Sequence, residues 1–287
     1  MKLANEWKEY KILDMAEGQK LEKWGDVILA RPDPQIIWKD KSFPNKWKEI
    51  NATYHRSKTG GGSWEFKKKM PKVWQVHYKM LTFNIKPMGF KHTGLFPEQA
   101  VNWEWMINKI NATKREIKVL NLFAYTGGAT VACLSAGASV CHVDSSKGMT
   151  TWAKENVISS GLQDRPVRFI IDDVIKFVNR EIRRGNKYDA IIMDPPSYGR
   201  GAKGEVWQFE ENIYDLVELC TQVLSKQPLF FLINSYTTGI SSTVLQNILS
   251  VTIGKKHKGK LESGEIGLPM ENSNLVLPCG IYGRWES

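Results

Sequence analysis

Four places in this sequence combine residue types that can do chemistry together. Phe123-Ala-Tyr-Thr-Gly-Gly128 sets two glycines just past a short apolar run, where backbone can come close to a ligand. Asp144 lies seventeen residues beyond Gly127 and ends a second run, placed to accept from the hydroxyls of a sugar diol. Asp172 and Asp173 end a third run, and one of them can accept from an exocyclic amine. Asp194-Pro-Pro-Ser-Tyr198 ends a fourth. Consecutive prolines stiffen that turn and carry no N–H to occupy neighbouring carbonyls. The Asp194 carboxylate and the Pro195 carbonyl can then accept an amino or ring N–H and aim its lone pair at an electrophile. Tyr198 offers a flat face on which a base can stack. Read singly, the glycines are a tight turn, the acids are helix N-caps and the prolines are an ordinary loop. Three such features in register within one series favour a common site.

The elements that position these residues alternate. Lys118–Ala124, Ser139–Asp144, Val167–Ile171, Tyr188–Met193 and Leu229–Ile233 read as strands. Helical patterns follow or separate them at Ala129–Ala136, Lys147–Ser160, a stretch ending near Arg184, Glu211–Leu224 and Thr243–Ile253. Leu261–Leu268 and Leu275–Trp285 read as a closing hairpin. Strand–helix alternation with short connections predicts a parallel sheet with helices on both faces. Ligands of such sheets bind at the carboxyl ends of the strands, near the point where strand order reverses. GxxxxGK[ST] does not occur, and the one GxGxxG spacing, Gly199-Arg-Gly-Ala-Lys-Gly204, follows the Asp194-Pro-Pro turn instead of opening a helix after the first strand, so the chain has no fingerprint for a pyrophosphate in the required context. Acids for ribose and base without a phosphate cradle fit a nucleoside cofactor, and S-adenosylmethionine is such a molecule.

The segments VLNLFAYTGGATVACLSAGASVCHVDSSKGMTTWAKEN, IIDDVIKFV and YDAIIMDPPSYGRG resemble the S-adenosylmethionine-dependent methyltransferase family that includes the bacterial large-subunit rRNA methyltransferases. The resemblance covers roughly residues 90–287, and Gly94-Leu-Phe-Pro-Glu-Gln99 resembles the family segment that closes over the cofactor. It implies a class I, Rossmann-like, doubly wound α/β fold with a mostly parallel seven-stranded sheet. It also implies that Phe123, Thr126 and Gly127 approach the methionine end and the sugar. Asp144, followed by Ser145, would hold the ribose. Asp172, Asp173 and the Val174 backbone would meet the adenine, and Gln99 would help cover the site. The catalytic group would be Asp194, Pro195 and Tyr198. The partner implied is RNA, most simply rRNA, and the product a methylated base.

Family members that methylate carbon 5 of cytosine attack with a cysteine displayed after strand four or five. Here those positions read Asp194-Pro-Pro-Ser-Tyr198 and Ile233-Asn-Ser-Tyr236. Methylation at nitrogen fits better, and oxygen stays open. A sulfonium is an excellent, neutral leaving group, so positioning carries most of the rate. Accordingly no general base stands out among His55, His77, His92, His142 and His257, which read as structural or surface residues. The four cysteines, Cys133, Cys141, Cys220 and Cys279, have neither disulfide-framework nor zinc spacing and read as reduced thiols; no metal is expected.

The charge is uneven. The 287-residue chain has a formal net charge of +10, and residues 1–115 hold 22 Lys+Arg against 12 Asp+Glu. Residues 116–287 hold 18 of each. Eight of the eleven Trp also precede residue 115. Two compositions predict two units: a basic, Trp-rich, mostly β module over 1–90 and a methyltransferase domain over 91–287, linked by a helix near 98–111. Within the module, Trp24–Ala30, Ile36–Trp38 and Lys72–Phe83 read as strands. Lys67-Lys68-Lys69 beside Trp64, Phe66 and Trp74 has the makings of an RNA surface, as do Lys39, Lys41, Lys46 and Lys48 around Trp38 and Trp47. The competing reading is a solvated lysine surface over tryptophans packed in a small core. Arg200 and Lys203, in Gly199-Arg-Gly-Ala-Lys-Gly204, are placed to close on substrate. No apolar run reaches the roughly 18–20 residues of a membrane span, and the charged N-terminus lacks the apolar stretch of a secretory signal. A cytoplasmic protein is expected, and monomer and homodimer are equally compatible with the sequence.

Overall fold

The computed structural model describes residues 1–57, 61–200, 204 and 206–287. It divides into two compact units, one of Leu3–Ala100 with Gly267–Pro278, the other of Met1–Lys2, Val101–Ile266 and Cys279–Ser287.

The chain opens with a two-residue strand β1 (Lys2–Leu3); the N-terminal unit then holds β2 (Tyr10–Ala16), β3 (Gln19–Trp24), β4 (Val27–Pro32), β5 (Ala52–Arg56) and β6 (Gly62–Phe66). Strands β2 to β6 form a five-stranded sheet in chain order. All neighbours are antiparallel except β4 and β5, which run parallel. A separate hairpin joins β7 (Trp74–Tyr78) and β8 (Leu81–Ile85). The run Trp24–Ala30 is therefore not one strand: Gly25, at φ +60°, turns the chain between β3 and β4. Lys72–Phe83 likewise folds back at Lys79, which takes φ +52°. Ile36–Trp38 forms no strand, because the Trp38 indole donates to the Met15 carbonyl (2.6 Å) and anchors the segment as a loop.

This unit buries charge as well as apolar surface. Leu13, Leu21, Ile28, Ala30 and Ile50 form one cluster. Beside it, Glu22 is fully buried against Arg31, whose Nε donates to Oε2 (2.6 Å) and Nη2 to Oε1 (3.0 Å). Tyr10 donates its hydroxyl to the same carboxylate (2.6 Å). Burial alone would raise the Glu22 pKa. Arg31 and Lys20, with the hydrogen bonds from Arg31 and Tyr10, outweigh it and hold the carboxyl down at about 2.

The second unit opens with α1 (Ala100–Asn111) and continues β9 (Lys118–Leu122), α2 (Gly128–Ser135), β10 (Ser139–Asp144), α3 (Lys147–Ser159), β11 (Val167–Ile171), α4 (Val174–Arg184) and β12 (Ala190–Met193). A small hairpin, β13 (Tyr198–Arg200) and β14 (Val206–Gln208), precedes α5 (Phe209–Thr221), β15 (Phe230–Ser235), α6 (Ser242–Val251) and α7 (Ile253–Lys256). The long strands β16 (Lys260–Pro269) and β17 (Val276–Glu286) close the chain. The large sheet runs β11-β10-β9-β12-β15-β17-β16, with short β1 added at its edge as an eighth strand. Strands β9 to β12 and β15 are parallel, and β17 is antiparallel to β15. The expected mostly parallel, doubly wound sheet is present. Its core is apolar: Leu120, Val143, Phe177, Ile191, Phe209, Phe231 and Trp285 belong to one cluster across the sheet and its helices. Helix α4 shows how such a face arises, burying Val174, Phe177, Val178 and Glu181 at helical spacing and ending at Gly185 in the left-handed conformation.

Candidate active site

Strand order reverses at β9, which lies between β10 and β12, so the crevice outside their carboxyl ends is the topological binding position. Register brings the sequence features together there. Leu122 of β9 pairs with Val143 of β10 and Met193 of β12. The next residue in each strand is Phe123, Asp144 and Asp194 respectively, so all three stand in one row. Asp144 pairs with Ile171 of β11, which puts Asp172 and Asp173 just beyond.

Phe123 and Tyr125 both take positive φ, +53° and +51°, and Gly127 takes +82°. Such a loop is costly for non-glycine residues and persists only where its surroundings fix it. The fixing groups are visible. Asp144 Oδ2 accepts from the Tyr125 N–H and Oδ1 from the Ser146 N–H, both at 2.8 Å. Asn156, fully buried on α3, donates to the Thr126 carbonyl (2.8 Å). Beneath, Asn121 donates to Thr130 (3.0 Å), which pairs with His142 Nδ1 (2.9 Å). Burial lowers the His142 pKa to about 3, so this imidazole is neutral and structural. The two glycines answer to packing. A Cβ on Gly127 would lie 2.9 Å from Ala153 Cβ, and one on Gly128 would lie 2.9 Å from the Trp103 ring. Close approach of protein side chains is one thing this structure requires of them.

Asp144 is half-buried, and burial raises its pKa against the lowering effect of the Ser146 and Tyr125 N–H groups. Ser145 beside it is exposed. Asp173 caps α4, its Oδ1 accepting from the Lys176 N–H (2.9 Å). Asp172 accepts from the Asp173 N–H (2.9 Å) and pairs with Arg180. Val174 is the first residue of α4. Gln99 is buried in a 3₁₀ turn, Pro97–Gln99, in the N-terminal unit.

Asp194 is half-buried and Pro195 buried, whereas Pro196, Ser197 and Tyr198 are exposed. The turn is held from two sides. Trp207 donates its indole N–H to the Pro196 carbonyl (2.7 Å), while its ring stacks at a tilt on Phe123 with centroids 5.1 Å apart. Thr237, past the end of β15, donates its hydroxyl to Ser197 Oγ (2.9 Å). Arg200 belongs to β13 and donates from Nε to the Tyr198 hydroxyl (2.9 Å). Lys203 lies outside the described residues. Trp207 lies outside the segments that carry the resemblance, and Asn156 ends one of them with no role assigned to it there; both are structural partners of the site.

The lysine triplet divides. Lys67 faces Glu65 (3.9 Å) and Lys68 donates to the Glu49 carbonyl (2.9 Å). Lys69 lines a cleft. Lys41 pairs with Glu17 (2.9 Å) and Lys46 with Glu271 (3.2 Å). Most tryptophans here are pegs: Trp7, Trp38, Trp64 and Trp74 donate to backbone carbonyls, and Trp47 donates to Asp14. Burial raises the thiol pKa of Cys133, Cys141 and Cys220, so none is poised as a nucleophile. Among the described residues there is no cluster able to hold a metal, and no helix is long and apolar enough to cross a membrane.

Fold and site together define a doubly wound α/β protein with a nucleoside-cofactor crevice. A model of the S-adenosylmethionine-dependent methyltransferase family matches residues 52–239, and the chain belongs to that family. Its cofactor is S-adenosylmethionine. A solved S-adenosylmethionine-dependent methyltransferase from Agrobacterium tumefaciens is 34% identical, with a TM-score of 0.93 over 99% of this chain and 92% of that one. Ribosomal RNA large subunit methyltransferase K/L of Pseudoalteromonas atlantica is 32% identical over 191 residues. That match takes in 66% of this chain but only 25% of the relative. Ribosomal RNA large subunit methyltransferase I of Photobacterium profundum is 29% identical over 156 residues, or 54% of this chain and 38% of the relative.

Proposed function

We propose that this chain transfers a methyl group to a base nitrogen of RNA, with ribosomal RNA the first candidate, and that it works in the cytoplasm. The observation that carries the proposal is the single row of Phe123, Asp144 and Asp194 at the strand-order reversal. The names of the rRNA methyltransferase relatives support RNA as the substrate class.

The residues fit the cofactor by their donor and acceptor set. Each Asp144 oxygen accepts one backbone N–H, and a carboxylate oxygen has a further lone pair for a ribose hydroxyl. Asp173, Asp172 and the Val174 N–H lie at the next strand end, suited to the adenine edge, and Phe123, Thr126, Gly127 and Ser145 shape the remaining wall. Bound there, S-adenosylmethionine supplies an electrophilic methyl whose departure leaves a neutral thioether. Asp194 and the Pro195 carbonyl accept the N–H of the target base, turning its lone pair toward the methyl. Tyr198 stacks the base, and Arg200 and Lys203 meet the backbone phosphates; in the basic module Lys69 is the member of the Lys67-Lys68-Lys69 triplet left for phosphate, since Lys67 faces Glu65 and Lys68 donates to the Glu49 carbonyl. The turns after β12 and β15 carry no cysteine, and burial raises the thiols of Cys133, Cys141 and Cys220, which supports nitrogen over carbon 5.

The experiment is transfer of radiolabelled methyl to total RNA from a strain lacking this gene, with the labelled nucleotide mapped. Label in one rRNA base nitrogen is expected. Label confined to protein or small molecules would replace the substrate assignment, and saturable cofactor binding without transfer to anything would make the chain a binding protein.

A further inference from the structure

The N-terminal unit holds a cleft of about 720 Å³ that the methyl-transfer chemistry does not use. Its walls include Lys8, Lys23, Lys69, Asp26 and Trp74. Lys11 also lines it, but its ammonium is paired with Glu271 (2.5 Å). Glu9 is engaged as well, accepting from the His77 backbone N–H (2.8 Å) and facing its ring nitrogen (3.0 Å). Among the described residues, no ion pair or hydrogen bond neutralises Lys8, Lys23 or Lys69. The tryptophan is fixed: its indole donates to the Trp24 carbonyl (3.0 Å), which sets the ring plane as one rigid wall.

Three uncompensated ammonium groups around one aromatic plate are the two ingredients of single-stranded nucleic-acid recognition, phosphate neutralisation and base stacking. Asp26 adds an acceptor for the amino group of a stacked base. We infer that this cleft binds a nucleotide of single-stranded RNA, with phosphates on Lys8, Lys23 and Lys69 and a base against Trp74. The inference rests on RNA being the substrate. It also relocates the basic module's contribution: of the lysine triplet only Lys69 takes part, because Lys67 and Lys68 are held by neighbours.

The test uses the full chain and a fluorescein-labelled single-stranded RNA oligonucleotide, with anisotropy read across a salt series. Replacing Lys8, Lys23 and Lys69 together by alanine is expected to weaken binding at least about tenfold at 0.1 M salt. It should reduce the slope of log affinity against log salt by about 2, near 0.7 for each phosphate left without its ammonium. Trp74→Ala should weaken binding roughly five- to a hundredfold, and Trp74→Tyr, which keeps a flat ring, should recover most of it. Calorimetric affinity for S-adenosylmethionine serves as the folding check in each variant. Unchanged anisotropy and slope in a triple variant that still binds cofactor would overturn the cleft while leaving the RNA assignment standing. Equal affinity for poly-glutamate at matched salt would also overturn it, exposing simple polyanion adsorption. Failure of the unaltered chain to bind RNA at low salt would defeat the RNA assignment itself.

Discussion

Two buried arginines, one in each unit, are treated in opposite ways. Arg31 meets a fully buried carboxylate through two parallel hydrogen bonds, and its third nitrogen donates to the Lys91 carbonyl (2.8 Å). Arg284, on β17, is sandwiched between Trp105 and Tyr282, with ring centroids 4.6 and 4.4 Å from its guanidinium carbon. It donates to Asn102 and, at 3.3 Å, to the Val101 carbonyl, while the nearest carboxylate, Glu262, stands 3.9 Å away and half exposed. Consistent with this, the Arg31 pKa is raised although burial opposes it, while burial lowers that of Arg284 to about 10. The small unit thus relies on a closed ion pair where apolar volume is scarce. The larger unit has a continuous apolar core and can hold a guanidinium with rings and amides. The difference teaches that a charge inside the N-terminal unit is structural, whereas in the methyltransferase unit the buried polar groups of β9, α2, β10 and α3 gather under the cofactor loop.

The sharpest way to break this comparison is Glu22→Ala, which leaves Arg31 buried without its carboxylate. A loss of about 3–5 kcal/mol is expected by urea denaturation followed at the N-terminal tryptophans. The pH dependence has a definite sign. The Glu22 carboxyl is held below its ordinary 4.5, at about 2, so its contribution is complete above pH 4.5 and disappears as pH falls from there toward 2. Acid unfolding that is identical in the variant and the unaltered chain would contradict the ion-pair account.

Next in size is Asp144→Asn. Losing the charge on a group that accepts two backbone N–H bonds and, in the proposed scheme, a sugar hydroxyl should weaken cofactor binding about ten- to a hundredfold by calorimetry. In the unaltered chain the Asp144 pKa is raised, so cofactor affinity should fall with falling pH beginning above 3.8, the ordinary value. The variant should lack that limb. Smaller still is Arg284→Met, which strands only an amide and a half-exposed acid. A cost of about 1–2 kcal/mol is expected in the methyltransferase unit. A cost equal to that of Glu22→Ala would erase the contrast between the two arginines.

The same contrast explains what was legible in the sequence. Parallel strands buried on both faces read as apolar runs, so β9, β10, β12 and β15 announced themselves, and with them the row of Phe123, Asp144 and Asp194. In the N-terminal unit the strands carry Asp14, Glu22 and Arg31 inward, which defeats any reading of polar residues as outward. The Gly25 turn hides inside an apolar stretch, and the parallel β4–β5 pair joins segments about twenty residues apart. At the site, Asp144 was legible because a strand end selects it. Asn156 and Trp207 were not, since each serves a backbone carbonyl that any residue provides. The glycine loop was legible as a turn, but its reason was not: Ala153 and Trp103 stand where Gly127 and Gly128 would carry a Cβ, and no spacing in the sequence relates them.

The most direct test of the central claim is single-turnover transfer of labelled methyl to the proposed rRNA substrate by Asp194→Ala at saturating S-adenosylmethionine. Removing a group that only orients the target should slow transfer by about 10²–10³-fold or more, with cofactor affinity within about threefold of the unaltered chain, an order-of-magnitude bound for a residue that does not touch the cofactor. Transfer at the unaltered rate would contradict the assignment of this turn to the chemistry.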